Sequence, residues 1–351
     1  NKVNLKKVSD VVAEILIEEK VSHVFAISGG ASLHLIHSLA DNENIQYICN
    51  HNEQASAMAA DGYSRVSGKT GVAVTTSGPG ATNLITGICC SYYDSIPSLF
   101  ITGQVSTMRM KGDTGVRQIG FQETPIVDIA EEITKYAYTI VEPEEIKYQL
   151  QKALHIAKSG RPGPVLIDIP DDLQRQLVDP LKLKNFQAPA AQELPHLKNS
   201  LQDTMDSIMN SKRPILIAGW GVHLSDTEAE FLKFAESFNI PIALTWGAAD
   251  LIPFDHDLYV GTFGTHGNRH ANFAVQNADL IISLGSRLDT KSTGSPVNTF
   301  AREARKIMVD IDINELNKFQ YFDLKFDQLI HCDLKDFFNN FSKLEPTKDT
   351  C

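Results

Sequence analysis

Short apolar runs alternate with segments of helical periodicity along the whole chain. In the first half the apolar runs predict strands at His23–Ile27, Ile45–Cys49, Gly71–Thr76, Leu99–Thr102 and Val165–Ile169. The segments between them predict helices at Ser32–Leu39, Glu53–Ser64, Ala81–Asp94 and Glu144–Lys158. These strands are apolar almost throughout, as expected for a parallel sheet that helices cover on both faces. The pattern therefore predicts an α/β fold.

A proline-rich segment interrupts this alternation once. Residues 178–195 read VDPLKLKNFQAPAAQELP, which is typical of a linker between domains. A second series of strands follows, at Pro214–Ala218, Ile240–Thr245, Leu280–Gly285, Lys306–Asp310 and Gln328–His331, with a final helix at Leu334–Ser342. The two series share no repeated motif. We expect two different doubly wound parallel-sheet domains, at residues 1–174 and 196–345, joined by a linker at residues 175–195.

Composition and charge narrow the class of protein. The 351 residues carry a net charge of −11, which argues against a nucleic-acid partner because such a partner needs a basic face. No apolar run approaches the roughly 20 residues that a membrane helix needs, and the chain enters a helical pattern without a signal-peptide core. We therefore expect a cytoplasmic protein without a membrane partner. The five cysteines have no metal-ligand spacing, so we expect no metal site within this chain.

Three loops of the first domain follow strands, where open α/β sheets place their ligands. They are Ser28–Ala31, with two glycines, His51–Ala55, with Glu53 at a helix start, and Thr76–Asn83, which contains Gly-Pro-Gly. Taken singly, each loop is typical of an ordinary turn, and a glutamate at a helix start is favoured by the helix dipole alone.

In this order and spacing, the three loops resemble the pyrimidine-binding domain of thiamine-diphosphate enzymes. The segments Gly120–Pro125 (GFQETP) and Gly160–Val165 (GRPGPV) are similar to acetolactate synthases rather than to pyruvate or benzoylformate decarboxylases. The second domain continues the resemblance with Gly264–Gly267 (GTHG), Ala271–Asp279 (ANFAVQNAD) and Gly285–Asp289 (GSRLD). The resemblance covers nearly all of the chain, and its ordered set of motifs is specific.

The resemblance implies an enzyme that decarboxylates pyruvate and transfers the two-carbon unit to a second carbonyl, as in branched-chain amino acid biosynthesis. In this family the glutamate that matches Glu53 hydrogen-bonds the aminopyrimidine ring of thiamine diphosphate and promotes loss of the thiazolium C2 proton. The cofactor supplies the carbanion chemistry, and the protein supplies position and electrostatics. The other matching positions lie around the pyrimidine or the reacting carbon: Gly30, Pro79, Asn83, Phe121 and Gln122.

The resemblance also implies that the second domain binds FAD as a structural cofactor. The matching positions are Arg161, Thr245, Trp246, Gly264, His266, Gly285, Arg287, Asp289, Asp310 and Asp333. The turn Ala218–Gly221 stands where the family has a glycine-rich flavin contact. The alternative is a doubly wound domain that has lost its nucleotide.

Four departures from the family all fall near its substrate. Ile27-Ser28 stands where the family has Tyr-Pro, and Thr265 stands where it has Met. In the substrate channel, Lys291 replaces an arginine and Asp171 replaces a lysine. These departures leave the acceptor open, and a related carboligase that uses a keto sugar or another neutral carbonyl is an alternative.

The family's diphosphate site is the part that the sequence does not show. The family binds the diphosphate through Mg²⁺ with Gly-Asp-Gly and a later Asn in a third domain, whereas here only Gly112–Thr114 begins similarly. We expect this chain to hold the pyrimidine-binding and central domains without that third domain. The resemblance implies a homodimer or homotetramer. A non-catalytic binding protein stays open, and a nicotinamide dehydrogenase ranks last because Gly-x-Gly-x-x-Gly is missing.

Overall fold

The protein is described here from a computed structural model, which covers residues 4–190 and 194–344. The chain divides into two compact units, one on each side of the boundary between Ala190 and Ala191. Among the described residues, no helix combines the length and the apolar character that spanning a bilayer requires.

The first unit contains a six-stranded parallel sheet and a separate two-stranded ribbon. The strands of the unit, in chain order, are β1 (Lys6–Lys7), β2 (His23–Ala26), β3 (Gln46–Cys49), β4 (Gly71–Thr75), β5 (Ser98–Gln104), β6 (Tyr136–Thr139), β7 (Val165–Pro170) and β8 (Leu177–Val178). The main sheet has the order β3-β2-β4-β5-β7-β6, and β1 pairs with β8 in a separate antiparallel ribbon. Successive strand residues point to opposite faces, so Val72 and Val74 enter one apolar cluster while Ala73 enters another.

Helices cover both faces of this sheet. They are α1 (Val8–Glu18), α2 (Leu33–Ala40), α3 (Glu53–Ser67), α4 (Pro79–Thr82), α5 (Ile85–Tyr93), α6 (Ile126–Ala130), α7 (Ile146–Lys158) and α8 (Asp171–Gln174). Apolar side chains of α1, α2 and α7 fill one cluster, and those of α3, α5 and α6 fill the other. The first unit is therefore a doubly wound α/β layer structure.

The second unit repeats this architecture with a different order of strands. Its strands are β9 (Pro214–Ala218), β10 (Ile242–Leu244), β11 (Tyr259–Thr262), β12 (Leu280–Leu284), β13 (Arg305–Asp310) and β14 (Gln328–His331). They form a parallel sheet in the order β11-β10-β9-β12-β13-β14. Its helices are α9 (Leu197–Asn210), α10 (Gly221–Leu224), α11 (Glu228–Phe238), α12 (Arg269–Gln276), α13 (Thr290–Thr293), α14 (Ile313–Asn317) and α15 (Leu334–Phe341). The fold class expected from the sequence is confirmed in both units.

The structure differs from the sequence expectations at the sheet edges and in two connecting segments. Strands β6 and β11 were not expected. The helix expected at Ala81–Asp94 is two helices, separated by Asn83 and Leu84. The first part of the expected linker belongs to the first unit, because Leu177 pairs with Lys7 and Val178 joins the core. Residues 191–193 of that linker, and residue 345 of the expected second domain, lie outside the described residues.

Candidate cofactor-binding site

The three loops singled out in the sequence meet at the carboxyl ends of the strands of the first sheet. They follow β2, β3 and β4, which are neighbours in the order β3-β2-β4 and point in the same direction. The backbone N–H of Ala31 donates to Thr76 Oγ1 at 3.1 Å. A Cβ on Gly29 would lie 2.4 Å from Thr76 Cγ2. The first and third loops are therefore in direct contact, and glycine at position 29 permits it.

Glu53 begins α3 immediately after β3. Asn52 caps this helix, because its side chain accepts from the backbone N–H of Gln54 at 2.8 Å. The Glu53 carboxylate is half-buried in the first helical turn, where the helix dipole favours its charge. The amide of Asn83 donates to Glu53 Oε2 at 2.9 Å. One carboxylate oxygen is thus held by protein, 30 positions away in sequence.

Gly80 brings backbone close to the other oxygen of Glu53. A Cβ on Gly80 would lie 3.5 Å from Glu53 Oε1 and 2.7 Å from Thr76 Cγ2. Pro79 is the first residue of α4, where its fixed φ and missing N–H cost little. The Gly-Pro-Gly bend therefore brings backbone close to the Glu53 carboxylate without a side chain in between.

The same bend contacts the segment that carries Phe121 and Gln122. Gly78 has φ +62°, and a Cβ there would lie 2.8 Å from Gln122 Cβ. Gln122 itself has φ +63°, a left-handed conformation that is uncommon for a residue with a side chain. The Phe121 side chain is 85% exposed. Gln122 is therefore brought to the site, next to an exposed aromatic ring.

Two other expected site residues of the first unit have different surroundings. A Cβ added to Gly30 would meet nothing within 4 Å, so packing alone does not require glycine there. Asp171 is half-buried, and its carboxylate accepts a hydrogen bond from Ser106 Oγ. The neighbouring Asp172 accepts from the backbone N–H and the hydroxyl of Thr107, at 2.9 and 2.6 Å. Asp171 is therefore engaged with the start of the loop that leads to Phe121.

Sequence reasoning missed three buried polar residues that hold this loop. Glu123 accepts from the backbone N–H groups of Lys111, at 2.6 Å, and Ile119, at 2.9 Å. Gln104 donates to the carbonyl of Thr124 at 2.8 Å, and Asp168 lies behind Gln104. Glu123 lies within the GFQETP motif, but nothing in the pattern distinguished Gln104 or Asp168 from other strand residues.

In the second unit, two turns pack closely where the strand order reverses. β9 and β12 are adjacent central strands, and their turns contain Gly219, Gly221 and Gly285. A Cβ on Gly219 would lie 2.2 Å from the Gly285 carbonyl oxygen, and one on Gly221 would lie 2.7 Å from Gly285 Cα. The point where strand order reverses is the usual ligand crevice of such sheets. The Trp220 ring lies beside the His223 ring, with centroids 4.8 Å apart and the two planes tilted by 48°.

An exposed aromatic pair lies at the same edge of the second sheet. The rings of Trp246 and His266 stack with centroids 5.1 Å apart, and Trp246 is 56% exposed. Thr245 precedes Trp246 and begins its turn. The backbone N–H and hydroxyl of Thr265 donate to the carbonyl of Lys291 at 2.7 and 3.1 Å, which joins the loop after β11 to the turn after β12. The stacked rings of Trp246 and His266 offer a flat surface for a ring system.

The close approach of these loops needs Gly264. It has φ +104°, and a Cβ there would lie 2.5 Å from the Lys291 carbonyl oxygen. The side chain of Lys291 is exposed, so its backbone rather than its charge makes this contact.

Several charged residues of the expected flavin site already make contacts within the protein. Arg287 Nη2 lies 3.6 Å from Asp289 Oδ2, and both side chains are nearly half-exposed. Asp289 caps α13, Asp333 caps α15, and Asp310 accepts from the backbone N–H of Asp312 at 2.8 Å. Arg161 lies in the first unit, where its Nε donates to Ser95 Oγ at 2.8 Å.

The residues present fit an aminopyrimidine ring in the first unit and a flavin nucleotide in the second. In the first unit, Asn83 donates to Oε2 of Glu53, so Oε1 is the oxygen that the carboxylate offers to the ring. In the second unit, a guanidinium at Arg287 suits a phosphate, and the Trp246–His266 stack suits an aromatic ring.

Comparison with known proteins agrees with this geometry. The family model described as "Thiamine pyrophosphate enzyme, N-terminal TPP binding domain" matches residues 6–130, and "Thiamine pyrophosphate enzyme, central domain" matches residues 201–339. The chain is 38% identical over 320 residues to acetolactate synthase 2, chloroplastic, of Nicotiana tabacum, covering 89% of this chain and 46% of that protein. It is 39% identical over 334 residues to the acetolactate synthase large subunit of Lactococcus lactis, covering 93% of this chain and 55% of that protein.

An archaeal relative gives the same result. The probable acetolactate synthase large subunit of Methanocaldococcus jannaschii is 39% identical over 319 residues, which is 89% of this chain and 52% of that protein. The chain thus spans about half the length of the curated relatives it matches. With two consecutive domain models matched in order and the site geometry described above, the chain belongs to the thiamine pyrophosphate enzymes, of which it carries the N-terminal TPP binding domain and the central domain.

Proposed function

We propose that this chain supplies the pyrimidine-binding and central domains of an acetolactate-synthase-type carboligase, which decarboxylates pyruvate and joins the two-carbon unit to a second carbonyl. The observation that carries the proposal is the Glu53 carboxylate at the carboxyl edge of the first sheet. Asn83 holds one of its oxygens at 2.9 Å, and the backbone of Gly80 approaches the other without a side chain in between. The similarity to three acetolactate synthases over about nine-tenths of the chain supports the same reaction class.

The residues of the chain have separate tasks in this proposal. Thiamine diphosphate, when bound, would supply the carbanion chemistry and the electron sink for decarboxylation of a 2-ketoacid. Glu53 shares a proton with the pyrimidine ring, and Asn83 keeps its carboxylate oriented. Gln122, which packs against Gly78, and the ring of Phe121 lie beside the space for the reacting carbon.

The proposal includes the cofactors and setting that the resemblance implies. FAD would be held in the second unit by Gly264, Gly285, Arg287 and the Trp246–His266 stack, and flavin absorption of the purified complete protein tests this. Mg²⁺ would bind the diphosphate of the cofactor, and the assembly would be a homodimer or homotetramer. Free thiols at Cys49, Cys89, Cys90 and Cys332 favour a reducing compartment such as the cytoplasm.

The direct test of the proposed reaction is product analysis on the complete protein. Given thiamine diphosphate, Mg²⁺, FAD and pyruvate, it should release carbon dioxide and form acetolactate. Carbon dioxide with acetaldehyde as the sole product would indicate a decarboxylase, and no turnover of any 2-ketoacid would contradict the proposal.

A second candidate, transfer to a neutral carbonyl, is favoured by the Asp171–Asp172 pair. Both side chains are half-buried and adjacent in sequence, and Asp171 stands where the family has a lysine. The Asp171 carboxylate and an anionic acceptor about 4 Å away would repel each other by roughly 1 kcal/mol in water and by about 4 kcal/mol at an effective dielectric of about 20. At about 1.4 kcal/mol per tenfold, this repulsion disfavours an anionic acceptor by roughly one to three orders of magnitude.

A competition assay distinguishes the two acceptors. Pyruvate serves as the donor, and a neutral aldehyde or keto sugar is offered beside it. If Asp171 repels anions, Asp171→Asn should shift the product toward acetolactate and Asp171→Lys should shift it further. Asp171→Asn keeps an acceptor for Ser106, so it separates charge from loop anchoring. Unchanged product ratios in both variants would remove Asp171 from acceptor choice.

A further inference from the structure

Gln104 links the interior of the first sheet to the loop that carries Phe121 and Gln122. It is the last residue of β5, and its side chain is buried at 2% exposure. Its Nε2 donates to the Thr124 carbonyl at 2.8 Å and to Asp168 Oδ2 at 3.1 Å. Its Oε1 accepts from the backbone N–H of Val105 at 2.9 Å. Both donor hydrogens of the amide are therefore used, one inward and one toward the loop.

The inward partner is itself fixed from several sides. Asp168 lies on β7 with 1% exposure and accepts from Thr102 Oγ1 at 2.6 Å and from Thr139 Oγ1 at 3.3 Å. These bonds come from the neighbouring strands β5 and β6, so Asp168 is a rigid acceptor for Gln104. A buried amide held by such an acceptor has little freedom to rotate away from the Thr124 carbonyl.

The outward bond acts close to the site. Thr124 is two residues beyond Gln122, and Glu123 between them closes the loop by accepting from Lys111 and Ile119. Gln122 in turn lies against Gly78 in a left-handed conformation. The bond from Gln104 therefore fixes the end of the segment whose position decides where Gln122 and Phe121 lie.

We propose that Gln104 is a positioning residue for the transfer step: through the Thr124 carbonyl it holds Gln122 and Phe121 at the reacting carbon. This inference rests on the proposed function. Misplacement by about 1 Å at a reacting centre can cost roughly 100-fold in rate. The hydrogen bond that orients Glu53 comes from Asn83 and involves no residue of this loop, so loss of the Gln104 bond should affect cofactor activation less than the transfer step.

The test compares Gln104→Met with Thr102→Val in the complete enzyme. Gln104→Met keeps the length of the side chain and removes both donors. Thr102→Val is the matched control, since it removes a hydrogen bond to the same Asp168 without touching the loop. For Gln104→Met we expect kcat for carboligation to fall about tenfold or more, with KM and the exchange rate of the cofactor's C2 proton within about threefold of wild type. Thr102→Val should leave all three within about threefold.

Hydrogen exchange of residues 118–124 gives a second measurement that does not need turnover. Backbone amides of this segment should exchange faster in Gln104→Met than in wild type, and at the wild-type rate in Thr102→Val. Gln104→Asn, which keeps an amide but is too short to reach Thr124, should behave like Gln104→Met and replaces it if that variant does not fold. Equal kinetics and equal exchange in the Gln104 variants and Thr102→Val would overturn the inference. A wild-type enzyme without turnover would instead contradict the proposed function, and the exchange comparison would still decide the role of Gln104.

Discussion

At the scale of single residues, the resemblance singled out Glu53 as a candidate, whereas its partners required the structure. Glu53 follows a strand and begins a helix of small residues, a pattern visible in the sequence. Its hydrogen bond from Asn83 and its approach to Gly80 depend on how α3 and the α4 segment meet, which no local pattern encodes. Gln104 and Asp168 were missed for the same reason, because buried polar residues on strands become recognisable only through their partners.

The two glycines of the first loop give a prediction at this scale. Gly29→Ala should lower the free energy of unfolding by about 1–3 kcal/mol, because its Cβ would meet the stiff Thr76 side chain at 2.4 Å. Gly30→Ala should change it by less than about 0.5 kcal/mol, because nothing lies within 4 Å of its Cβ. Urea unfolding of the complete protein measures both. Equal effects of the two substitutions would show that the loop packs differently.

At the scale of strands and helices, the apolar runs identified the central strands and one edge strand of each sheet, β3 and β14, and missed the edge strand on the opposite side. The missed strands, β6 (Tyr136–Thr139) and β11 (Tyr259–Thr262), have side chains that are mostly half-exposed. A strand at a sheet edge needs no continuous apolar run, so a criterion based on such runs does not always detect it. β5 extends two residues beyond its expected end because Gly103 and Gln104 pair with β7.

Strand β7 gives a prediction about pH through its buried Asp168. Burial raises the pKa of Asp168 from 3.8 to about 6, although hydrogen bonds from Thr102, Gln104 and Thr139 oppose the rise. Because the folded pKa exceeds the unfolded one, the contribution of Asp168 to stability is fully present below about pH 4 and is lost as pH rises through about 6. Ionisation of Asp168 should therefore lower the free energy of unfolding by on the order of 3 kcal/mol.

Asp168→Asn isolates this effect, since it has the same shape and does not titrate. The difference in unfolding free energy, variant minus wild type, should increase by on the order of 3 kcal/mol between about pH 4 and pH 7. Urea unfolding at several pH values measures it, and the other titrating groups cancel in the difference. A difference that stays constant across this range would contradict a raised pKa at Asp168.

At the scale of the whole molecule, two doubly wound units each place glycine-rich turns at the carboxyl edge of a parallel sheet. The sequence predicted this architecture because both central sheets consist of buried apolar runs. The site residues follow the same rule, since Glu53 and Asn83 lie beyond strands of the first sheet and Arg287 beyond β12 of the second. This rule does not predict the acceptor; the proposal about it rests on the charge of Asp171, whose carboxylate accepts a hydrogen bond from Ser106.

The central claim is that Glu53 activates thiamine diphosphate, and proton–deuterium exchange at the cofactor's C2 tests it most directly. In the complete protein, Glu53→Gln should slow exchange by about 100-fold or more, because proton sharing with the pyrimidine ring is lost. Asn83→Ala should slow it by roughly tenfold, the effect of one charge-assisted hydrogen bond. Glu132→Gln, which alters an exposed glutamate of the same unit, serves as the control and should exchange at the wild-type rate. If Glu53→Gln exchanges as fast as Glu132→Gln, Glu53 does not activate the cofactor and the account is contradicted.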